Sequence, residues 1–155
     1  MSMSQQVKLL SVATAVPPHG IAQRDVAAAA HRVFGSRFGD YERLAQVFET
    51  SGIIQRYAVR PLDWYFQPLG WPERSAAYLE GATSLFVDAA RQALDAAGIT
   101  ADQVDTVVTV SSTGIATPSL EARAAGLLGL RADVERVPVF GHGCAGGVCG
   151  LSIAY

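Results

Sequence analysis

Asparagine is missing from all 155 residues, lysine occurs once (Lys8), and cysteine twice (Cys144 and Cys149). Two thiols five residues apart make no disulfide framework, and their spacing and ligand count exclude a redox C-x-x-C pair or a zinc site. Charge is sparse. Only 17% of residues are charged and the net charge is −2, so the basic footprint that nucleic-acid binding requires is missing. No run reaches the roughly 18 apolar residues of a membrane-spanning helix. Met1 to Gln6 has neither the charge nor the apolar block of a signal peptide. There is no internal repeat and no low-complexity linker. What is present is apolar: 50% of the chain is hydrophobic, which excludes a disordered polymer. A compact domain of this length buries roughly 70% of its unfolded surface. The expectation is a soluble, cytoplasmic, globular chain, either one domain or half of a larger one.

The apolar run from Val7 to Ala15, closed by Pro17-Pro18-His19-Gly20, predicts a buried strand and a turn. Gln23 to Phe34 reads as a helix stopped by Gly35. Asp40 to Thr50 reads as a second helix with Gly52 as its cap. Arg56 to Val59 reads as a short strand. Pro61 to Pro72 reads as an irregular loop rich in aromatics. Ser75 to Ala97 is the longest helix by pattern. Its apolar stripe runs through Leu79, Ala82, Phe86, Ala89, Ala90, Ala93 and Leu94, and Gly98 ends it. Val104 to Val110 is β-branched and reads as a buried strand. A loop from Ser111 to Pro118, a helix from Ser119 to Leu128 and a strand from Val134 to Phe140 follow. After the glycine-rich segment Gly141 to Gly147, an apolar stretch reads as a helix to Tyr155, with no stop signal. Such alternation predicts a layered α/β fold around a mainly parallel or mixed sheet.

Cys144 falls between the last strand and the last helix, among closely spaced glycines. A thiol at a helix start meets the positive end of the dipole and unpaired N–H groups, which favour the thiolate. The same N–H groups suit an oxyanion on a bound thioester. Local chemistry leaves two readings open. One is a nucleophilic cysteine; the other is a small buried hydrophobe in a glycine-packed turn. The G-x-S-x-G elbow does not fit even with cysteine for serine, because His142 stands two residues earlier. Cys149 lies about 140° round a helix from Cys144 and reads as a core residue. His142 is close enough in sequence to be a base for Cys144, but glycine turns scramble side-chain alternation. A loop or cavity-lining role is favoured for it. His19 and His31 read as turn and helix-surface residues.

The run Val137-Pro-Val-Phe-Gly-His-Gly-Cys-Ala-Gly-Gly-Val148 resembles the active-site cysteine motif of type III polyketide synthases, the chalcone and stilbene synthase family. Ser111-Ser-Thr-Gly-Ile-Ala-Thr-Pro-Ser-Leu120 is similar to that family's loop between a core strand and helix. Leu127-Leu-Gly-Leu-Arg131 also matches. Ser51-Gly-Ile-Ile-Gln-Arg-Tyr57 resembles the family's early basic segment. The resemblance runs from about Val7 to Tyr155, and residues 104–150 are its specific part.

The resemblance implies a thiolase-like fold, layered αβαβα in the whole family, of which this chain is the N-terminal half ending in the nucleophile helix. It implies that Cys144 accepts an acyl group from acyl-CoA, followed by decarboxylative condensation with malonyl-CoA and cyclisation. These CoA thioesters are substrates; no cofactor is implied. The whole enzyme is expected to be a homodimer. Carried over by position, Thr117 reaches across the dimer into the partner's cavity and Ser112 lines the cavity. Arg56 falls in the segment that meets the CoA phosphates, with Arg60 beside it, although Ile54 and Gln55 stand where the family has lysines. For both arginines the alternative is ordinary solvated surface. The family's mechanism also needs a histidine and an asparagine from the second half. This chain has no asparagine and no histidine in a matching position, so the triad is incomplete within these residues. Alternatives are a ketoacyl synthase III-like condensing enzyme, or a non-catalytic half-domain that acts by dimerisation or complementation.

Overall fold

A computed structural model of the chain describes residues 7–155; the N-terminal hexapeptide weighed above against a signal peptide lies outside the described residues. The chain forms two compact units, Val16–Pro68 and a second built from residues 7–15 with Leu69–Tyr155.

In the first unit, strand β1 (His19–Ala22) pairs antiparallel with β2 (Gln55–Ala58), in the register His19 to Ala58. His19 therefore stands in a strand and not in the expected turn, because the backbone at His19 and Gly20 finds a ladder on Tyr57 and Ala58. Helix α1 (Gln23–Phe34) matches its expected bounds. Its first residue, Gln23, is buried. The Gln23 amide N–H donates to the Ile54 carbonyl at 2.9 Å. Its Nε2 donates to the Phe48 carbonyl at 3.2 Å, and its Oε1 accepts from Arg56 Nε at 2.9 Å.

The single helix expected over 40–50 is broken into α2 (Tyr41–Ala45) and α3 (Val47–Thr50). The Gln46 carbonyl at the break accepts from the Glu49 N–H, the Thr50 N–H and the Thr50 hydroxyl. A threonine hydroxyl bonded four residues back bends a helix. Gly52 follows with a φ of 69°. His31 is a surface residue as expected. It lies 3.6 Å from the Glu42 carboxylate and edge-on to buried Tyr41. The aromatic loop contains a 3₁₀ segment, Leu62–Phe66, and Arg32 stacks 4.4 Å over the Phe66 ring.

In the second unit, α4 (Trp71–Ala97) starts four residues before its expected bound. Proline at a first turn lacks only an N–H that the helix leaves unused. Glu73 Oε2 accepts the Gly70 N–H at 3.0 Å, so the aromatic loop gives way to helix at once. Gly98 ends it with a φ of 68°. Strand β3 (Thr106–Ser111) runs parallel to β4 (Glu135–Phe140), in the register Thr106 to Glu135 through Ser111 to Phe140. Helix α5 (Leu120–Leu128), with Ser119 at its N-cap, joins them. Helix α6 (Gly146–Ala154) follows β4.

Alternation along β3 assigns its neighbours. Val108 and Val110 face α6, whose Gly146 and Gly150 come so close that a Cβ on either would stand 2.6 Å from a Val110 methyl. Thr109, on the other face, donates to Glu121 of α5. The sheet thus lies between α5 on one face and α6 on the other, and α4 packs on α5.

Two expectations are corrected here. Residues 7–15 form no strand among the described residues, and Val7, Leu9, Leu10 and Val12 are exposed. A strand persists only where its N–H and C=O groups find a ladder; this segment is instead held by Ser11 Oγ donating to the Ala93 carbonyl at 2.7 Å. β3 is half-buried where a buried strand was expected, with Thr109 alone of its residues reaching burial. The apolar stripe of α4 is half-buried, and the buried residues of this helix are Ala77 and Val87.

Candidate functional site

The parallel pairing of β3 and β4 brings both carboxyl ends to one edge, and two loops meet there. In parallel α/β sheets this edge is where ligands bind. From β4 the chain turns through Gly141 (φ 87°) and Gly143 (φ 52°), a left-handed path that favours glycine. Cys144 is the middle residue of the 3₁₀ turn Gly143–Ala145, which leads directly into α6. Its side chain is exposed, and both cysteines are free thiols. The glycine face of α6 against Val110 sets where this helix start lies: the two glycines let the helix axis approach the strand, so the cysteine turn sits over the end of β3.

The loop after β3 supplies the other wall. Ser111 and Ser112 point to opposite faces. Ser112 keeps the parity of Val110, and its Oγ donates to the Gly143 carbonyl at 3.4 Å, one residue before Cys144. Ser111 keeps the parity of Thr109 and meets Tyr78 of α4, with 2.6 Å between the hydroxyl oxygens. Ser111 also donates to the Gly114 carbonyl at 3.0 Å. Thr117 ends the loop, exposed, at a cis peptide to Pro118. Arg123 grips this end, donating to the Pro118 carbonyl at 2.9 Å and the Thr117 carbonyl at 3.2 Å.

A cavity of about 340 Å³ runs along β3, lined by Tyr78, Phe86, Thr109, Ser111, Ser112 and Leu120. A larger groove of about 540 Å³ between α4 and α5, lined by Leu79, Val87, Arg91 and Leu127, reaches none of the candidate residues.

The structure therefore brings Ser112 to the cysteine turn and ends the same loop with Thr117. Arg56 and Arg60 belong to the other unit. Arg56 is tied to the buried Gln23, and Arg60 is half-buried beyond β2. The Nδ1 of His142 lies 3.5 Å from the sulfur of Cys149. Cys149 is half-buried and not in the core, because α6 meets the sheet with its glycine face and leaves the rest of its circumference open. Among the described residues, no three histidine, cysteine, aspartate or glutamate side chains converge as a metal would need.

Three residues around this site escape a reading by motif. Tyr78 lies four residues before Ala82, in line with the apolar stripe, and a hydroxyl on such a face usually seeks a partner; that signal is in the sequence. Glu121 has the ordinary look of an acid in a helix's first turn, yet it is wholly buried and accepts from Thr109 Oγ1 at 2.6 Å. Nothing local announces that. Arg123 reads as helix surface.

At the opposite end of the sheet, Arg131 clamps the strand starts. It donates to Asp133 at 2.9 Å, to Asp105 at 3.0 Å and to the Asp102 carbonyl at 3.0 Å. The hydrogen bond from Arg131 holds the Asp133 carboxyl below its ordinary range.

Comparison with known proteins identifies the family of the chain and its fold. The profile of chalcone and stilbene synthases, N-terminal domain, matches residues 70–155. A 1,3,6,8-tetrahydroxynaphthalene synthase of Streptomyces peucetius subsp. caesius is 40% identical over 141 residues, covering 91% of this chain and 37% of that protein. A putative chalcone synthase of Bacillus subtilis (strain 168) is 34% identical, covering 94% of this chain and 41% of that protein. The chain thus spans about two fifths of the length of these relatives. The crystal structure of 1,3,6,8-tetrahydroxynaphthalene synthase from Streptomyces coelicolor A3(2) superposes with a TM-score of 0.80 at 24% identity, over 93% of this chain and 42% of that one. That of CsyB complexed with CoA-SH superposes with a TM-score of 0.79 at 25% identity, over 93% and 39%. The fold is the thiolase-like α/β fold of type III polyketide synthases, and the chain belongs to the chalcone and stilbene synthase family, whose N-terminal part it represents.

Proposed function

We propose that this chain is the N-terminal half of a type III polyketide synthase and carries its acyl-accepting nucleophile, Cys144. The observation that carries the reading is an exposed thiol at the carboxyl edge of a parallel strand pair, at the foot of a helix. The Cys144 sulfur attacks the thioester carbonyl of an acyl-CoA and forms a new C–S bond. The C–S bond to CoA breaks, and the cysteine proton leaves with the CoA thiol. Decarboxylative condensation with malonyl-CoA then extends the acyl group. Ser112 and Thr117 line the acyl cavity, Thr117 in a homodimer. Arg56 and Arg60 meet the CoA phosphates; a fold relative complexed with CoA-SH supports CoA as the leaving group. No cofactor takes part, and the reaction belongs to the cytoplasm. The histidine and asparagine of the condensing step come from the second half, so this chain alone accepts acyl groups poorly or not at all.

A second reading, a half-domain that works by complementation, draws on the exposed apolar surface of α6. Val148 and Leu151 are 73% and 69% exposed, and patches of this kind mark interaction sites.

The test is intact mass after incubation with a panel of acyl-CoAs, with Cys144→Ser as control. An adduct present in the chain and lost from Cys144→Ser supports the nucleophile. An adduct retained by Cys144→Ser sinks it. If the chain is monomeric and binds no hydrophobic dye, the complementation reading fails.

A further inference from the structure

The two serines at the end of β3 tie opposite layers of the second unit to one short peptide. Ser111 Oγ has one proton, which goes to the Gly114 carbonyl, so the Tyr78 phenol is the donor in the 2.6 Å contact with Ser111. The loop lies directly on the Tyr78 ring. A Cβ on Gly114 would stand 2.5 Å from two of its atoms, which makes glycine the residue that allows this seat. Tyr78 thus holds the loop in two ways, by hydrogen bond at Ser111 and by ring contact at Gly114. Between those points sits Ser112, whose hydroxyl reaches the Gly143 carbonyl on the far side of the sheet. That carbonyl belongs to the peptide that enters Cys144, and the orientation of this peptide sets the direction of the Cys144 side chain.

We propose that Tyr78 is a positioning residue for Cys144: through Ser111 it fixes the end of β3, so that Ser112 holds the Gly143–Cys144 peptide in one orientation. The inference rests on the reading of Cys144 as the acyl acceptor, and it adds a group on the opposite face of the sheet that no motif around the cysteine contains. Displacement of a reacting group by about an ångström costs large factors in rate, so a relay of this length is enough to matter.

The test uses the full 155-residue chain with Tyr78→Phe, Ser111→Ala, the double variant and Ser111→Thr. Two rates are read by peptide mass: iodoacetamide alkylation of Cys144 against Cys149, and acylation of Cys144 by acyl-CoA. Tyr78→Phe is expected to change the alkylation rate of Cys144 roughly tenfold relative to Cys149. Ser111→Ala should do the same and the double variant no more. Ser111→Thr, which keeps the hydroxyl, should restore the rate. Unchanged Cys144 rates in both single variants overturn the proposal, as do equal changes at both thiols, which indicate general loosening. If acyl-CoA modifies Cys149 and not Cys144, the acyl-acceptor reading fails separately, while the alkylation ratio still decides the role of Tyr78.

Discussion

The two faces of β3 are closed by opposite means. On the α6 face, Gly146 and Gly150 remove side chains so that helix backbone rests on Val110. On the α5 face, a polar pair is added, Thr109 and Glu121, buried and hydrogen-bonded at 2.6 Å. The first closure sets a distance, and with it the place of the cysteine turn over the strand end. The second sets a register, since a buried carboxylate tolerates few alternatives to its partner. The strand edge that carries Cys144 is thus built from close approach on one side and from a single specific bond on the other.

Adding bulk where the glycines lie breaks this contrast most severely. Gly150→Leu forces a side chain into stiff, β-branched Val110 and is expected to lower unfolding free energy by about 3 kcal/mol, measured by urea denaturation. A small side chain is a weaker probe, because alanine gains helix propensity of up to about 1 kcal/mol over glycine and offsets part of the overlap. Stability unchanged in Gly150→Leu would mean that α6 does not rest on β3 as described. Next comes the polar face. Thr109→Val keeps shape but leaves Glu121 without its one partner among the described residues. A loss of roughly 2 kcal/mol is expected in the same assay; a neutral result would mean that the carboxylate finds another donor.

The smallest effect lies at the far end of the sheet, at the exposed Arg131 clamp. The Asp133 carboxyl is held below its ordinary range by Arg131. A depressed carboxyl stabilises the fold above the unfolded-state value, and that contribution disappears as pH falls through the folded-state value. Asp133→Asn should therefore match the unmodified chain at acid pH and fall slightly below it near neutrality. Because the pair is exposed to water, the gap should sit at the edge of detection and shrink with added salt. A large gap would show the clamp to be more shielded than its exposure indicates.

Much of the fold was legible along the chain. α1 is legible to its end residues, and β3, α5 and β4 to within two, since β-branched runs and the prolines and glycines that bound helices carry local signals. Failures came where tertiary context competes with pattern. Residues 7–15 have a strand's composition, but no ladder meets them among the described residues. Trp71 and Pro72 look like loop, yet Gly70 and Glu73 cap a helix across them. The turn that holds Cys144 and the loop that holds Ser112 and Thr117 are legible as segments because each is contiguous. Tyr78 was not, since it stands 33 positions from Ser111 in sequence.

By itself the sequence determined the long helices, the two strands of the parallel pair and where the cysteine turn falls between strand and helix. Those are local properties, written in neighbouring residues. Only the tertiary structure decided which of two adjacent serines meets Tyr78, which thiol lies beside His142, and that Glu121 is buried. Each depends on strand parity combined with the packing of a distant helix, and that combination exists only once parallel pairing has set the two strands side by side.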